Sequence, residues 1–208
     1  RDHTGAGAVV VAGGAPDGER WSRFTQASAG MPGIPEAGDA FGSAVAVGVS
    51  LIWVGAPRED LHGEVDAGVV HALQFDRTSG AVLPGPMFSQ DSLDPWDRRT
   101  IHGVAEAGDR FGAALATYPP HRDAHEYAVL IGVPGEDVAG LRDAGLVNGI
   151  LGAEDGLTQS NTAGESEAGD RFGSRIQAAM SSDGETWHVL IGAPGEDDGA
   201  GSVVVDNS

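Results

Sequence analysis

The sequence Glu-Ala-Gly-Asp-Ala-Phe-Gly at residues 36–42 recurs, with Arg in place of the Ala before Phe, at residues 106–112 and 167–173. Each copy leads into an apolar run that ends in Gly-Ala-Pro or Gly-Val-Pro. An acidic loop follows, and then a Gly and another run of small and β-branched residues. Successive Phe-Gly pairs are separated by 70 and then by 61 residues, and self-similarity at such a period predicts a repeat architecture.

The composition predicts short strands joined by tight turns rather than long helices. The 208 residues include 33 Gly and 11 Pro, and 6% of them are aromatic. There are 31 acidic residues against 12 basic ones, all of them Arg, which gives a formal net charge of −19. This charge argues against nucleic acid as a partner, because phosphates need a basic surface; it suits cations, basic partners or simple solubility. The absence of Cys excludes disulfides, and no apolar run is long enough to span a membrane.

Each repeat unit reads as strand, turn, strand, acidic loop, strand, turn and edge strand. The second strand of each unit is strongly apolar, at residues 51–54, 127–131 and 188–191. Continuous apolar runs of this length predict strands that are buried on both faces. Four antiparallel strands at this period predict an all-β fold, a β-propeller whose blades bury their faces against one another. The residues expected to pack between blades are Phe41, Phe111 and Phe172.

This pattern resembles the FG-GAP repeat of integrin α subunits. The resemblance rests on Phe-Gly at residues 41–42, 111–112 and 172–173, paired with Gly-(Ala/Val)-Pro at residues 55–57, 132–134 and 192–194. The Glu-Ala-Gly-Asp and Pro-Gly-Glu-Asp forms are similar to those of secreted actinobacterial proteins. The resemblance implies a seven-bladed propeller, an extracellular location and a role in adhesion or protein binding.

The chain is then expected to be a single propeller segment over residues 1–208, with about three blade periods. Three periods are fewer than seven blades, so the resemblance also implies that another chain or segment completes the propeller. The approximate blade units are residues 1–35 (partial), 36–105, 106–166 and 167–208 (partial).

FG-GAP repeats often carry a calcium loop of the type Asp-x-Asp-x-Asp-Gly in the hairpin between the first and second strands. The corresponding hairpins lie here at residues 48–50, 119–123 and 181–185. They lack the spaced carboxylates required by a hard cation that takes six to eight oxygen ligands. That family site therefore cannot be carried over to this chain.

A second acidic set lies in the loop between the second and third strands of each unit. This loop lies at the same end of the sheet as the turns that hold Asp39, Asp109 and Asp170. Three interpretations stay open: carboxylates that cap turn amides, loops that bind Ca²⁺ together with backbone carbonyls, or an acidic docking face for a cationic protein or a sugar-bearing surface. The candidate metal ligands are Glu59, Asp60, Asp66, Glu136, Asp137, Asp143, Glu196, Asp197 and Asp198.

Enzyme signatures are weak in this sequence. There is no Gly-x-Ser-x-Gly elbow, and the absence of Lys excludes a Gly-Lys-(Ser/Thr) phosphate loop. The seven His residues do not recur at one repeat position. Carboxylates repeated in every unit point to structure, because an active site needs only one set.

The long unrepeated loop at residues 91–104 holds Trp96, Arg98 and Arg99, a composition that is frequent at contact sites. Alternatively, Trp96 covers the blade below it. We expect an extracellular binding or adhesion module that recognises a protein or glycan through its loop face, with Ca²⁺ as a candidate cofactor. The alternatives are a hydrolase on a propeller scaffold and an architectural component of a secreted assembly.

Overall fold

The computed structural model describes residues 4–15, 18–76, 78–96, 98–119, 124–162, 164–182 and 186–207. Within these residues, twelve strands form four antiparallel sheets in chain order, which confirms the all-β prediction. The first sheet is β1 (Val9–Ala15) and β2 (Gly18–Phe24), and the second is β3 (Ala44–Val47), β4 (Leu51–Ala56), β5 (Val69–Phe75) and β6 (Val82–Phe88). The third is β7 (Ala114–Tyr118), β8 (Ala128–Val133) and β9 (Leu146–Ile150), and the fourth is β10 (Arg175–Met180), β11 (Trp187–Ala193) and β12 (Ser202–Asn207).

The third sheet ends one strand earlier than the sequence predicts. In the described residues, the expected edge strand at 157–159 is reduced to a bridge between Val147 and Leu157, followed by the 3₁₀ turn Gln159–Asn161. The Gly149 N–H, which a fourth strand would need as a ladder donor, donates instead to the Asp155 carboxylate at 3.2 Å. The turn around Asp155 therefore replaces the ladder at this edge.

Strand β4 buries both of its faces, as its apolar run predicts. Ile52 and Val54 belong to a core cluster shared with Phe24 of the first sheet, whereas Trp53 belongs to a second cluster shared with Val129 of the third sheet. Alternate residues of β8 divide between two clusters in the same way. Each of the three core clusters thus takes its side chains from two successive sheets, so a sheet is stabilised by its neighbours.

Each Phe-Gly pair lies at the contact between two successive sheets, which we call a junction. The three Phe side chains are at most 2% exposed. The Phe N–H groups donate to Ala carbonyls of the preceding unit at 2.8 to 2.9 Å, the pairs being Phe41 with Ala6, Phe111 with Ala67 and Phe172 with Ala144. The residue after each Ala is a Gly in the left-handed region, and a Cβ on Gly68 would lie only 2.5 Å from the Phe111 carbonyl oxygen. Glycine is therefore required for the backbones to approach this closely.

Candidate functional site

The aspartates of the Glu-Ala-Gly-Asp turns are buried caps. Asp39, Asp109 and Asp170 are at most 2% exposed. Each carboxylate accepts a hydrogen bond of 2.6 Å from the N–H of the Glu three residues earlier. Short polar side chains that bond to nearby backbone are favoured in such turns. The geometry agrees with the turn-capping interpretation for these three residues.

The glutamates of the acidic loops pair with glutamines that the sequence analysis did not identify as partners. Gln90 Nε2 donates to Glu136 Oε2 at 2.5 Å, and Glu136 is 8% exposed. The same bond joins Gln26 to Glu59 and Gln159 to Glu196. Each Gln follows the last strand of one unit and each Glu belongs to the next unit, so the bond crosses a junction. The recurrence of Gln after Phe-Thr, Phe-Ser and Leu-Thr was the sequence signal for it.

Burial changes the proton affinity of these carboxyl groups. Burial and the neighbouring charge of Asp39 raise the pKa of Glu59 to about 7, although the hydrogen bond from Gln26 opposes the change. Burial likewise raises the pKa of Asp109 to about 7, and the charge of Glu136 adds to the effect. A fraction of these groups is protonated near neutral pH, which links the stability of the junctions to pH.

The remaining candidate metal ligands do not converge on one point. Asp60 and Asp137 cap their own loops, because their carboxylates accept from the N–H groups of Asp66 and Asp143 at 3.0 and 2.9 Å. Asp197 lies in the one-turn helix α1 (Glu196–Gly199), and the side chain of Asp198 lies outside the described residues. In the part of the chain that the structure describes, no three His, Asp or Glu side chains are arranged to hold a metal ion.

The loop at residues 91–104, which we call the Trp96 loop, is held by a buried carboxylate. Asp94 Oδ1 accepts from the Trp96 N–H at 2.6 Å, and Asp94 Oδ2 accepts from the Leu151 N–H at 3.1 Å. The Asp94 N–H donates to the Arg99 carbonyl at 2.8 Å. Trp96 is 71% exposed, and Arg98 and Arg99 are exposed beside it. Trp96 therefore does not cover the sheet below it.

The base of the Trp96 loop lies beside the acidic loops, where His62 Nδ1 is 3.8 Å from Asp91 Oδ2, but its tip is anchored elsewhere. Asp94 is anchored at Leu151, just past the C-terminal end of β9. The Glu136 carbonyl, in contrast, accepts from the Gly145 N–H just before β9 begins. The length of an extended strand of this size, roughly 20 Å, lies between the two anchors. The tip of the Trp96 loop is therefore anchored at the end of β9 opposite the acidic loop, whereas its base lies beside that loop.

No protein-family model and no curated protein matches this chain. Among the described residues, no helix is long and apolar enough to cross a membrane. The functional assignment rests on the geometry of the loops and junctions.

The hairpin at residues 48–50 binds a carboxylate of the next unit. Glu126 accepts from the N–H groups of Val49 and Ser50 at 2.6 and 2.8 Å, and also from the Ser50 hydroxyl. Burial by itself raises the pKa of Glu126, but hydrogen bonds from Ser50, Tyr127 and Val49 outweigh it and hold the pKa below its ordinary value. This hairpin therefore fastens the second unit to the third. The other two corresponding hairpins lie largely outside the described residues, including Asp123, Asp183 and Glu185.

Proposed function

We propose that the chain is a segment of a secreted FG-GAP-type β-propeller that acts as a non-enzymatic binding module for a protein or glycan. The propeller is supported by three junctions built from the same Phe-Gly contact. It is also supported by the contacts of β3 with β7 and of β7 with β10, the first strands of successive sheets. First strands that meet in this way suit blades arranged around a common axis.

One observation carries the binding role, the 71% exposure of Trp96 on an anchored loop. A Trp so exposed contributes little to the core, and its large apolar surface is available for a partner. Trp and Arg are enriched among the residues that dominate binding energy at interfaces, and Arg98 and Arg99 lie two and three residues away. The hydrogen bonds of Asp94 hold the backbone of the loop in place, so less entropy is lost on binding.

The carboxylates of the junctions do not favour the hydrolase alternative. Asp109 and Glu136 are buried, bonded to the Glu106 N–H and to Gln90, and repeated in the neighbouring units. These features suit a structural contact between units. Calcium binding stays a prediction for the more exposed acidic-loop residues, which are Asp60, Asp66, Asp137 and Asp143.

The binding role is tested by replacing Trp96 with Ala and screening the intact protein and the variant on a glycan array and on immobilised extracellular proteins. Trp21→Ala is the matched control, because Trp21 is 67% exposed on β2 of the first sheet. We expect Trp96→Ala to weaken binding by about tenfold or more, the loss of a hot spot, and Trp21→Ala to leave it unchanged. Equal binding by the two variants would contradict the role of the Trp96 loop.

A further inference from the structure

A cavity of about 650 Å³ lies between the third and fourth units and is lined by four of the chain's twelve arginines. These are Arg110, Arg142, Arg171 and Arg175. The only acidic residue in the wall is Asp143. In a chain of net charge −19, one third of all cationic side chains therefore surrounds a single cavity.

The repeat places two of these arginines at equivalent points of neighbouring units. Arg110 and Arg171 stand between Asp and Phe in successive copies of the motif, with backbone φ of 60° and 55°. Their N–H groups donate to the Asp66 and Asp143 carbonyls at 3.1 and 3.0 Å, which fixes both turns. The first copy adopts the same conformation with Ala40, at φ 58°. The turn therefore does not require an arginine side chain, and the two guanidinium groups need another explanation.

Arg175, at the start of the fourth sheet, is a third position of this kind. Arg175 opens β10, where the second and third sheets begin with Ala44 and Ala114. The strand position is thus compatible with Ala, and of these three sheets only the fourth begins with Arg. At three positions that line the cavity, the chain therefore has Arg where another of its units has Ala.

The guanidinium groups are available to a ligand. All four arginines are exposed, and Arg142 Nε lies 3.6 Å from the Asp143 carboxylate at the edge of the cavity. Arg175 donates to the Ser174 carbonyl at 2.8 Å. Among the described residues, Arg110 and Arg171 have no ion-pair partner. A guanidinium presents a planar fork of N–H donors that matches carboxylate and sulfate groups in pairs of hydrogen bonds.

We infer that this cavity binds an acidic oligosaccharide through its carboxylate or sulfate groups. The rest of the wall is made of small residues and backbone, such as Gly108, Pro134, Gly135 and Pro194. It holds no aromatic or large aliphatic side chain, so it lacks the apolar anchor that peptide docking generally uses. The paired donors of the arginines suit the anionic groups of a charged sugar. The inference rests on the proposed binding function and gives it a ligand class and a second site, separate from the Trp96 loop.

The test is calorimetric titration of the intact protein with a uronate trisaccharide and, separately, with a sulfated disaccharide, which distinguishes the two sources of negative charge. A neutral trisaccharide and a Glu-rich peptide are the comparison ligands. We expect binding of at least one acidic saccharide and a loss of about tenfold or more in Arg110→Gln/Arg171→Gln. Arg110→Lys/Arg171→Lys should recover only part of the affinity lost in the Gln variant, because Lys restores the charges without the planar set of N–H donors.

Arg23→Gln, which removes one exposed positive charge from β2, is the matched control and should bind like the parent protein. Thermal unfolding of each variant checks that the fold is intact. Failure of both acidic saccharides to bind, equal binding by the double variant, or tighter binding of the peptide would overturn the inference.

The two proposed binding sites can be refuted independently of each other. Saccharide binding that is lost in Trp96→Ala but kept in Arg110→Gln/Arg171→Gln would overturn the cavity site and leave the proposed function standing. Saccharide binding at the cavity, with Trp96→Ala unchanged in every screen, would support the cavity and overturn the role of the Trp96 loop.

Discussion

Replacing Gly132 with Ala should destabilise the protein strongly, whereas the same change at Gly192 should be tolerated. A Cβ on Gly132 would overlap the Gly173 carbonyl oxygen and lie 3.0 Å from its carbon and 3.2 Å from Ala114 Cβ. Gly192 holds the equivalent place in β11, but the nearest atom to its Cβ would be Arg175 Cβ at 3.7 Å. Neither glycine has a left-handed φ, so the comparison isolates the contact between units.

The size of the effect follows from what must move at the junction. The obstructing atom is the Gly173 carbonyl oxygen, which cannot rotate away as a side chain could. The added methyl can therefore be accommodated only if the third and fourth sheets separate. Overpacking of this kind costs about 1–3 kcal/mol, and separation weakens the Phe172 N–H bond to the Ala144 carbonyl, worth about 1 kcal/mol more. A loss of about 3 kcal/mol lowers Tm by about 6–12 °C in a chain of this length. Gly192→Ala should change stability by less than about 1 kcal/mol, because Ala loses less entropy than Gly on folding.

Thermal and urea unfolding followed by circular dichroism measures both variants against the parent protein. The expected result is a lower Tm and a lower urea midpoint for Gly132→Ala only. Equal stability of the two variants would refute the conclusion that close backbone contact at the Phe-Gly pair holds the third and fourth units together.

Four further predictions concern the junctions and loops. Because the pKa of Asp109 is raised from 3.8 to about 7, its contribution to stability is complete at low pH and lost as pH rises through 7. The urea midpoint should therefore fall between pH 5 and pH 8, and Asp109→Asn should flatten that slope; an unchanged slope would contradict the assignment. The pH dependence contributed by Glu126 has the opposite sign, because its lowered pKa gives stability that is lost as pH falls. Glu126→Gln should therefore reduce Tm at neutral pH more than under acid conditions. Gln90→Leu leaves the buried Glu136 without its donor and should cost about 1–3 kcal/mol in urea unfolding, whereas no loss would show that the pair contributes nothing. If the exposed acidic loops bind Ca²⁺, millimolar CaCl₂ should raise Tm and EDTA should reverse the rise, whereas an unchanged Tm would favour the turn-capping role over calcium binding.

The repeat and the strands could be predicted because they depend on local patterns. The apolar run of β4 can be buried on both faces only as a central strand between two cores, and the structure confirms this. The turn-capping role of Asp39 was one of the open interpretations, since Asp bonds to backbone three residues away. These features need no knowledge of distant contacts.

Apart from the turn around Asp155, the features that were missed depend on which distant residues meet. Gln90 and Glu136 are 46 residues apart, and although Gln recurs in the sequence, its Glu partner is identified only where the two units pack together. The anchoring of the Trp96 loop was missed as well, because the bond between Asp94 and the Leu151 N–H joins residues that are distant in sequence. The four arginines around the cavity come from different elements, and none was selected by its own spacing.

The Gln–Glu pairs have a consequence for how such a gene can change length. Each of the three junctions joins a Gln near the end of one unit to a Glu of the next, so the contact at one junction is chemically equivalent to the contact at the others. Duplication or deletion of one whole period leaves each contact chemically unchanged. A break inside a period instead leaves a buried Glu without its Gln. Recombination between copies should therefore preserve whole periods, and the lengths of related chains should differ in steps of about one unit, like the 61 and 70 residues between successive Phe-Gly pairs in this chain.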